Sequence, residues 1–162
     1  MVDERALKQA KATFATLCKY LDEKGWKYDV VDTVEDEFSI KSGVGTNDFP
    51  VEFLISVNAK TMLVSYLSFM PFKTPEDKIV DMALATTAVN YRLVDGSFDL
   101  GLETGSIIFR LTSSFRESLL GPDLFDYMII VATTTVDRYN DKFFMLSKGM
   151  MSIEDFIKSE NE

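Results

Sequence analysis

The chain of 162 residues contains no histidine and a single cysteine, Cys18. Without histidine it can hold no Ser-His-Asp triad, no Cys-His dyad and no histidine-ligated metal. With one cysteine it can close no internal disulfide, and Cys18 fits a reducing compartment. Long apolar runs are missing too. The longest, residues 127–132, falls far short of the ~20 residues that span a bilayer. The first residues, Met1-Val2-Asp3-Glu4-Arg5, enter mixed charge directly and show no secretory apolar stretch. Basic residues are outnumbered, 17 against 26 acids, for a net charge of −9. Phosphate-backbone recognition draws on clustered Lys and Arg, and here they are scattered. The expectation is a cytoplasmic protein with neither nucleic acid nor membrane as partner.

What is present points to a packed domain. An apolar fraction of 46% with 13 Phe excludes a disordered acidic chain. The length suits one domain at the usual ~150 residues per domain. We expect residues 1–149 to form it and residues 150–162 to be a short amphipathic tail. Five acids (Asp29, Asp32, Glu35, Asp36, Glu37) and no base occupy residues 29–40. That reads as a solvated, self-repelling hairpin edge, or as a docking surface for a basic partner.

Residues 4–24 predict a helix. Leu7, Ala10, Phe14, Leu17, Cys18 and Leu21 recur at three- and four-residue steps, and Gly25 suits a left-handed cap. The period then falls to two. Trp26, Tyr28 and Val30 alternate with polar neighbours, a turn around Thr33 follows, and Phe38 and Ile40 begin a second strand. Residues 43–48 read as a loop. Phe49, Val51, Phe53, Ile55 and Val57 alternate through a third strand, with Pro50 marking an edge or a strand start. The fourth strand, residues 61–69, is apolar on both faces and is expected to be central or doubly covered.

Thr74-Pro75-Glu76-Asp77 predicts a helix start with a capping box. Asn90 is expected to cap or bridge the connection that Gly96 ends. A hairpin follows, with Phe98, Leu100 and Leu102 on one strand and Ile107, Phe109 and Leu111 on the other. Gly121-Pro122 opens a third helix running to about residue 146. Its two apolar stripes require cover on two sides, the second by a neighbouring helix or a second chain. Ser152 and Asp155 predict another capping box, and residues 159–162 a frayed end. The order α-β-β-β-β-α-β-β-α indicates an α+β fold, a twisted antiparallel sheet with flanking helices.

Catalytic and metal motifs are not found. Gly43-Val44-Gly45 lacks the third glycine and the following helix of a dinucleotide site. Residues 95–99 lack the closing glutamate of a calcium loop. Asp99 with Glu103 reads as turn chemistry, and Asp137, Arg138 and Asp141 as a surface ion pair at helical spacing. No cofactor and no metal is expected, and no enzyme activity.

Pro71-Phe72-Lys73-Thr74-Pro75-Glu76-Asp77-Lys78, then Asn90-Tyr91, Gly96-Ser97-Phe98-Asp99-Leu100 and Gly105-Ser106-Ile107-Ile108-Phe109-Arg110 together resemble the YbjN family of bacterial proteins. Thr135-Val136-Asp137-Arg138-Tyr139 with Phe143-Phe144, and Leu21-Asp22-Glu23-Lys24-Gly25-Trp26, extend the resemblance over roughly residues 5–149. The resemblance implies a regulatory role, a type III secretion chaperone-like fold and frequent homodimers. It supplies no catalytic residues.

The expected function is a non-catalytic protein-binding module, chaperone-like or regulatory, acting as a homodimer. Strand addition or apolar-groove capture would hold segments of other proteins. A small-ligand sensor with an apolar pocket is the first alternative, and a carboxylate-dependent enzyme the second. The candidate contact residues are Leu63, Leu67 and Phe69 on the fourth strand with Phe125 and Ile129 on the third helix.

Overall fold

The computed structural model describes residues 2–31, 34 and 36–161. The expected turn at Thr33, and Asp32 and Glu35 of the acidic segment, lie outside the described residues. Helix α1, Glu4–Lys24, starts at Asp3, whose carboxylate accepts the Arg5 amide. It ends at Gly25 with φ 72°, a left-handed geometry that glycine adopts without steric cost. Strands β1 (Asp29–Val31), β2 (Glu37–Gly45), β3 (Pro50–Asn58) and β4 (Leu63–Lys73) follow as a meander. Then come α2 (Ile79–Asn90), β5 (Ser97–Leu100), β6 (Ser106–Ser114), α3 (Pro122–Ser147) and α4 (Ile153–Asn161). The six strands form one sheet of order β1-β2-β3-β4-β6-β5, antiparallel throughout. The fold is α+β, as the runs of hairpin-joined strands set between helices indicated.

Parity along each strand decides which face enters the core. Ile40, Val51, Phe53, Ile55, Val57, Val64, Tyr66, Phe98, Ile107, Phe109 and Leu111 all point to one side and are buried. Against them lie α1, α3 and α2. The helices thus sit on one face of the sheet, and among the described residues no helix covers the other.

Aromatic rings fill the joint between layers. Phe98 contacts Phe109 and Phe143 at centroid distances of 5.0 Å each. Phe143 stacks on Phe156 of α4 at 5.7 Å, so α4 closes over α2 and α3. The second stripe of α3 is therefore covered within the chain: Phe125 meets Tyr20 of α1. Phe125, Ile129 and Val136 of that stripe are buried, while Tyr127 and Ile130 on the outer side of the helix remain exposed.

Several local expectations are corrected by tertiary contacts. Thr74 does not cap α2. Its hydroxyl is buried without a partner, and its amide donates to the Gly105 carbonyl at 2.8 Å. The segment begins instead as a 3-10 turn, Glu76–Lys78, with no side-chain cap. The strand docking of Thr74 outcompetes the local capping geometry. The Asp137–Arg138–Asp141 ion pair does not form. Asp137 accepts from the Asn47 amide at 2.7 Å and from its side chain at 2.5 Å, while Arg138 lies 5.5 Å from the Tyr139 ring centroid. Residues 43–48 are only partly a loop, since β2 runs to Gly45 in register with Pro50. The chain end is not frayed over 159–161. Glu160 is buried, and its carboxylate accepts from Lys142 Nζ at 2.7 Å. Glu162 lies outside the described residues.

Candidate functional site

The sheet face that no helix covers is built from alternate residues of five strands. Pairing register places Lys41, Leu54, Leu67 and Arg110 in one row across β2, β3, β4 and β6. The next row holds Glu52, Phe69, Ile108 and Asp99. Leu54, Leu67, Phe69 and Ile108 therefore form a contiguous apolar strip along the central strands. Phe69 is its most open member, 41% exposed, where an apolar ring of this size is ordinarily withdrawn from water.

Charge flanks the strip on both sides in compensated form. Lys41 Nζ lies 3.0 Å from Glu52 Oε2, and Arg110 Nε donates to Asp99 Oδ2 at 2.7 Å. The Asp99 hydrogen bond holds the Arg110 guanidinium above its ordinary range. A third row is small and polar: Ser39, Ser56, Ser65 and Thr112. Its Ser39 and Ser56 hydroxyls share a hydrogen bond of 2.8 Å. The surface is thus apolar in the middle and neutral at its flanks, within a chain of net charge −9.

The outer edge of β5 is already occupied. The Asn90 side chain donates to the Phe98 carbonyl at 2.9 Å and accepts from the Phe98 amide at 2.8 Å. It pairs with Phe98 as a neighbouring strand would. Asn90 thus bridges helix and strand, one of the two roles expected of it, and strand addition at this position is closed. At the opposite edge, Asp29, Asp36 and Glu37 place like charge beside the short β1, which discourages edge pairing.

Of the five residues singled out, Leu63, Leu67 and Phe69 share the uncovered face, with Leu63 one row beyond the serines, beside Asn58 and Ser114. Phe125 and Ile129 lie on the other side of the sheet, 0% and 4% exposed, within the core. The structure does not bring the two groups together. Leu54 and Ile108 complete the strip and were not singled out. Leu54 could have been found from the β3–β4 hairpin register. Ile108 could not, because β6 reaches β4 only through the non-local closure of the sheet.

A separate cleft of about 450 Å³ lies where the N-terminal end of α1 meets the β3–β4 and β6–α3 connections. Its Arg5 and Arg116 face Asp3 and Glu117, so its charge is balanced. Met62 and Glu117 border it with φ of 57° and 52°. Elsewhere Asp99 holds Arg110, Glu103 is exposed in the turn between β5 and β6, and Asp137 holds the Asn47 loop. Among the described residues, no helix is long and apolar enough to cross a membrane.

Comparison with known proteins agrees with this architecture. The model of the YbjN family, described as "Putative bacterial sensory transduction regulator", matches residues 13–145. The crystal structure of YbjN from E. coli, there called "a putative transcription regulator", superposes with a TM-score of 0.54 at 10% identity. The superposition covers 76% of this chain and 85% of that one. At that identity the likeness speaks for the fold. No curated protein matches.

Proposed function

Because the chain belongs to the YbjN family, we propose that it is a non-catalytic regulatory module that binds protein. It acts as a homodimer whose two copies meet through their uncovered sheet faces. The observation that carries this reading is the apolar strip of Leu54, Leu67, Phe69 and Ile108 between two compensated ion pairs. Sheets pack face to face about 10 Å apart with strands near −30°, and an isologous contact needs a self-complementary patch. A strip with both charge signs on each flank meets that need. The sheet edges offer less, because Asn90 occupies one and acids border the other. Leu63 lies at the margin of this contact, and Leu67 and Phe69 at its centre. The dimer is the platform on which a chaperone-like hold on segments of other proteins would be built.

Sedimentation equilibrium over micromolar concentrations tests the contact. The wild-type chain is expected to sediment as a dimer, and Phe69→Asp as a folded monomer with the wild-type far-UV circular dichroism spectrum. A wild-type monomer throughout, or an undisturbed Phe69→Asp dimer, would remove the sheet face from the reading.

A further inference from the structure

Helix α4 closes a polar cleft whose charge runs against that of the whole chain. The cleft, about 410 Å³, lies between the residues just past α2, the middle of α3 and the last turn of α4. Arg92 and Arg138 line it from the first two. Neither forms an ion pair with a carboxylate among the described residues. Arg92 donates one N–H to Asn161 Oδ1 at 2.7 Å, and Arg138 rests on the Tyr139 ring. A guanidinium carries five N–H donors, so most of theirs remain open.

Two hydroxyls of the wall are open as well, whereas that of Ser159 donates to the Phe156 carbonyl at 2.8 Å. Thr13, Thr16, Thr86 and Thr87 each donate to a carbonyl one turn back in their helices. Thr134 and Thr135, which line the cleft on α3, make no such bond among the described residues. One carboxylate is present, Glu160, and its side chain is only 5% exposed and bound to Lys142 at 2.7 Å. Two cations of the lining, Arg92 and Arg138, against this one acid leave a local charge of +1, and the acid is already neutralised by Lys142 behind it, in a chain of −9. Low-dielectric walls focus such a field on a small anion.

We propose that this cleft binds a small phosphate-bearing molecule, held by Arg92 and Arg138 with the Thr134 and Thr135 hydroxyls as further donors. A carboxylate is satisfied by a single bidentate guanidinium. The terminal oxygens of a phosphate can take both guanidiniums and a hydroxyl together. The volume falls in the ordinary range of small-ligand sites, about 300–1,000 Å³. Helix α4, which supplies one wall, lies beyond residues 13–145 that match the family model. The cleft is on the helical side of the sheet, so this inference stands or falls separately from the dimer contact.

Isothermal titration calorimetry of the full chain at low ionic strength tests it, with inorganic pyrophosphate as probe and citrate as the carboxylate counterpart. Pyrophosphate is expected to bind, and Arg138→Ala to weaken it roughly 10-fold or more, as loss of a charge-assisted contact does. Arg92→Ala is expected to act in the same direction, which covers the case of one variant failing to fold. Arg116→Ala, in the balanced cleft beside α1, leaves binding unchanged. The proposal is overturned by three results: no heat with millimolar pyrophosphate, equal affinity in folded Arg138→Ala or Arg92→Ala, or citrate binding as tightly as pyrophosphate.

Discussion

Replacing Asn90 with alanine removes two hydrogen bonds that join α2 to β5, at 2.9 and 2.8 Å. Each bond contributes a net ~1 kcal/mol to stability. The substitution also leaves the Phe98 amide and carbonyl facing a gap rather than a partner. Phe98 is 2% exposed, but Asn90 is only half-buried, so water reaches part of that gap and limits the penalty. The expected loss is about 2–3 kcal/mol. Equilibrium urea unfolding measures it as a fall in midpoint with an unchanged slope, because the surface exposed on unfolding is the same. Tyr91→Ser, at a neighbouring residue 91% exposed, is the control and is expected to stay within ~0.5 kcal/mol of wild type. If Asn90→Ala also stays within that margin, the strand-like pairing of Asn90 with Phe98 is not what secures β5, and the closed-edge argument fails with it. A second consequence follows from the same geometry. The freed edge of β5 would offer an unpaired amide and carbonyl, so Asn90→Ala should aggregate more readily on warming, as light scattering would show.

Gly105 has φ 68°, and a Cβ built there would lie 2.1 Å from the Thr74 carbonyl oxygen. Gly105→Ala must push the β5–β6 turn off Thr74, so a loss of about 2–4 kcal/mol is expected in the same urea assay; a loss under ~0.5 kcal/mol would refute the close approach. Burial, partly offset by the hydrogen bond from Ser68, pushes the Tyr66 phenol up to about 12 from its usual 10. The neutral form is the one the fold favours. Its contribution is complete below pH 10 and is lost as pH rises toward 12. Stability against urea should therefore fall less steeply over that window in Tyr66→Phe than in wild type, and identical slopes would count against it. At acid pH the sign reverses for Asp126. The Tyr20 hydroxyl at 2.7 Å, and then Lys24, hold its carboxyl below the usual range. Its tie between α1 and α3 is present above the ordinary carboxylate pKa and is lost as pH falls through the lowered one. NMR titration should find Asp126 titrating lower in wild type than in Tyr20→Phe.

Much of the fold is legible because period and parity are local properties. The three- and four-residue steps of α1, the alternation of β3 and the Pro122 start of α3 each follow from neighbouring residues, and each element forms where they indicate. Boundaries shift where a distant partner acts. Gly43 and Gly45 compose a loop by themselves, yet they extend β2 because Val51 and its neighbours lie in register. Thr74 has every local mark of a cap, yet the Gly105 carbonyl claims its amide. The same division applies to the candidate surfaces. Leu67 and Phe69 stand out in the sequence because β4 is apolar on both faces. Phe125 stands out equally, and nothing local tells that α1 will cover it.

By itself, then, the sequence determined the chemistry that is excluded, the α+β order and the resemblance to the YbjN family. The absence of histidine and the scarcity of bases needed no fold to be meaningful. Only the tertiary structure decided which apolar residues remain in water, because sheet closure and the helix layer consume one face of each strand and leave the other. It also decided that Arg92 and Arg138, 46 residues apart in a chain numbered 92 and 138, meet across one cleft under α4. Burial and charge convergence are sums over distant neighbours, and a linear pattern records only the near ones.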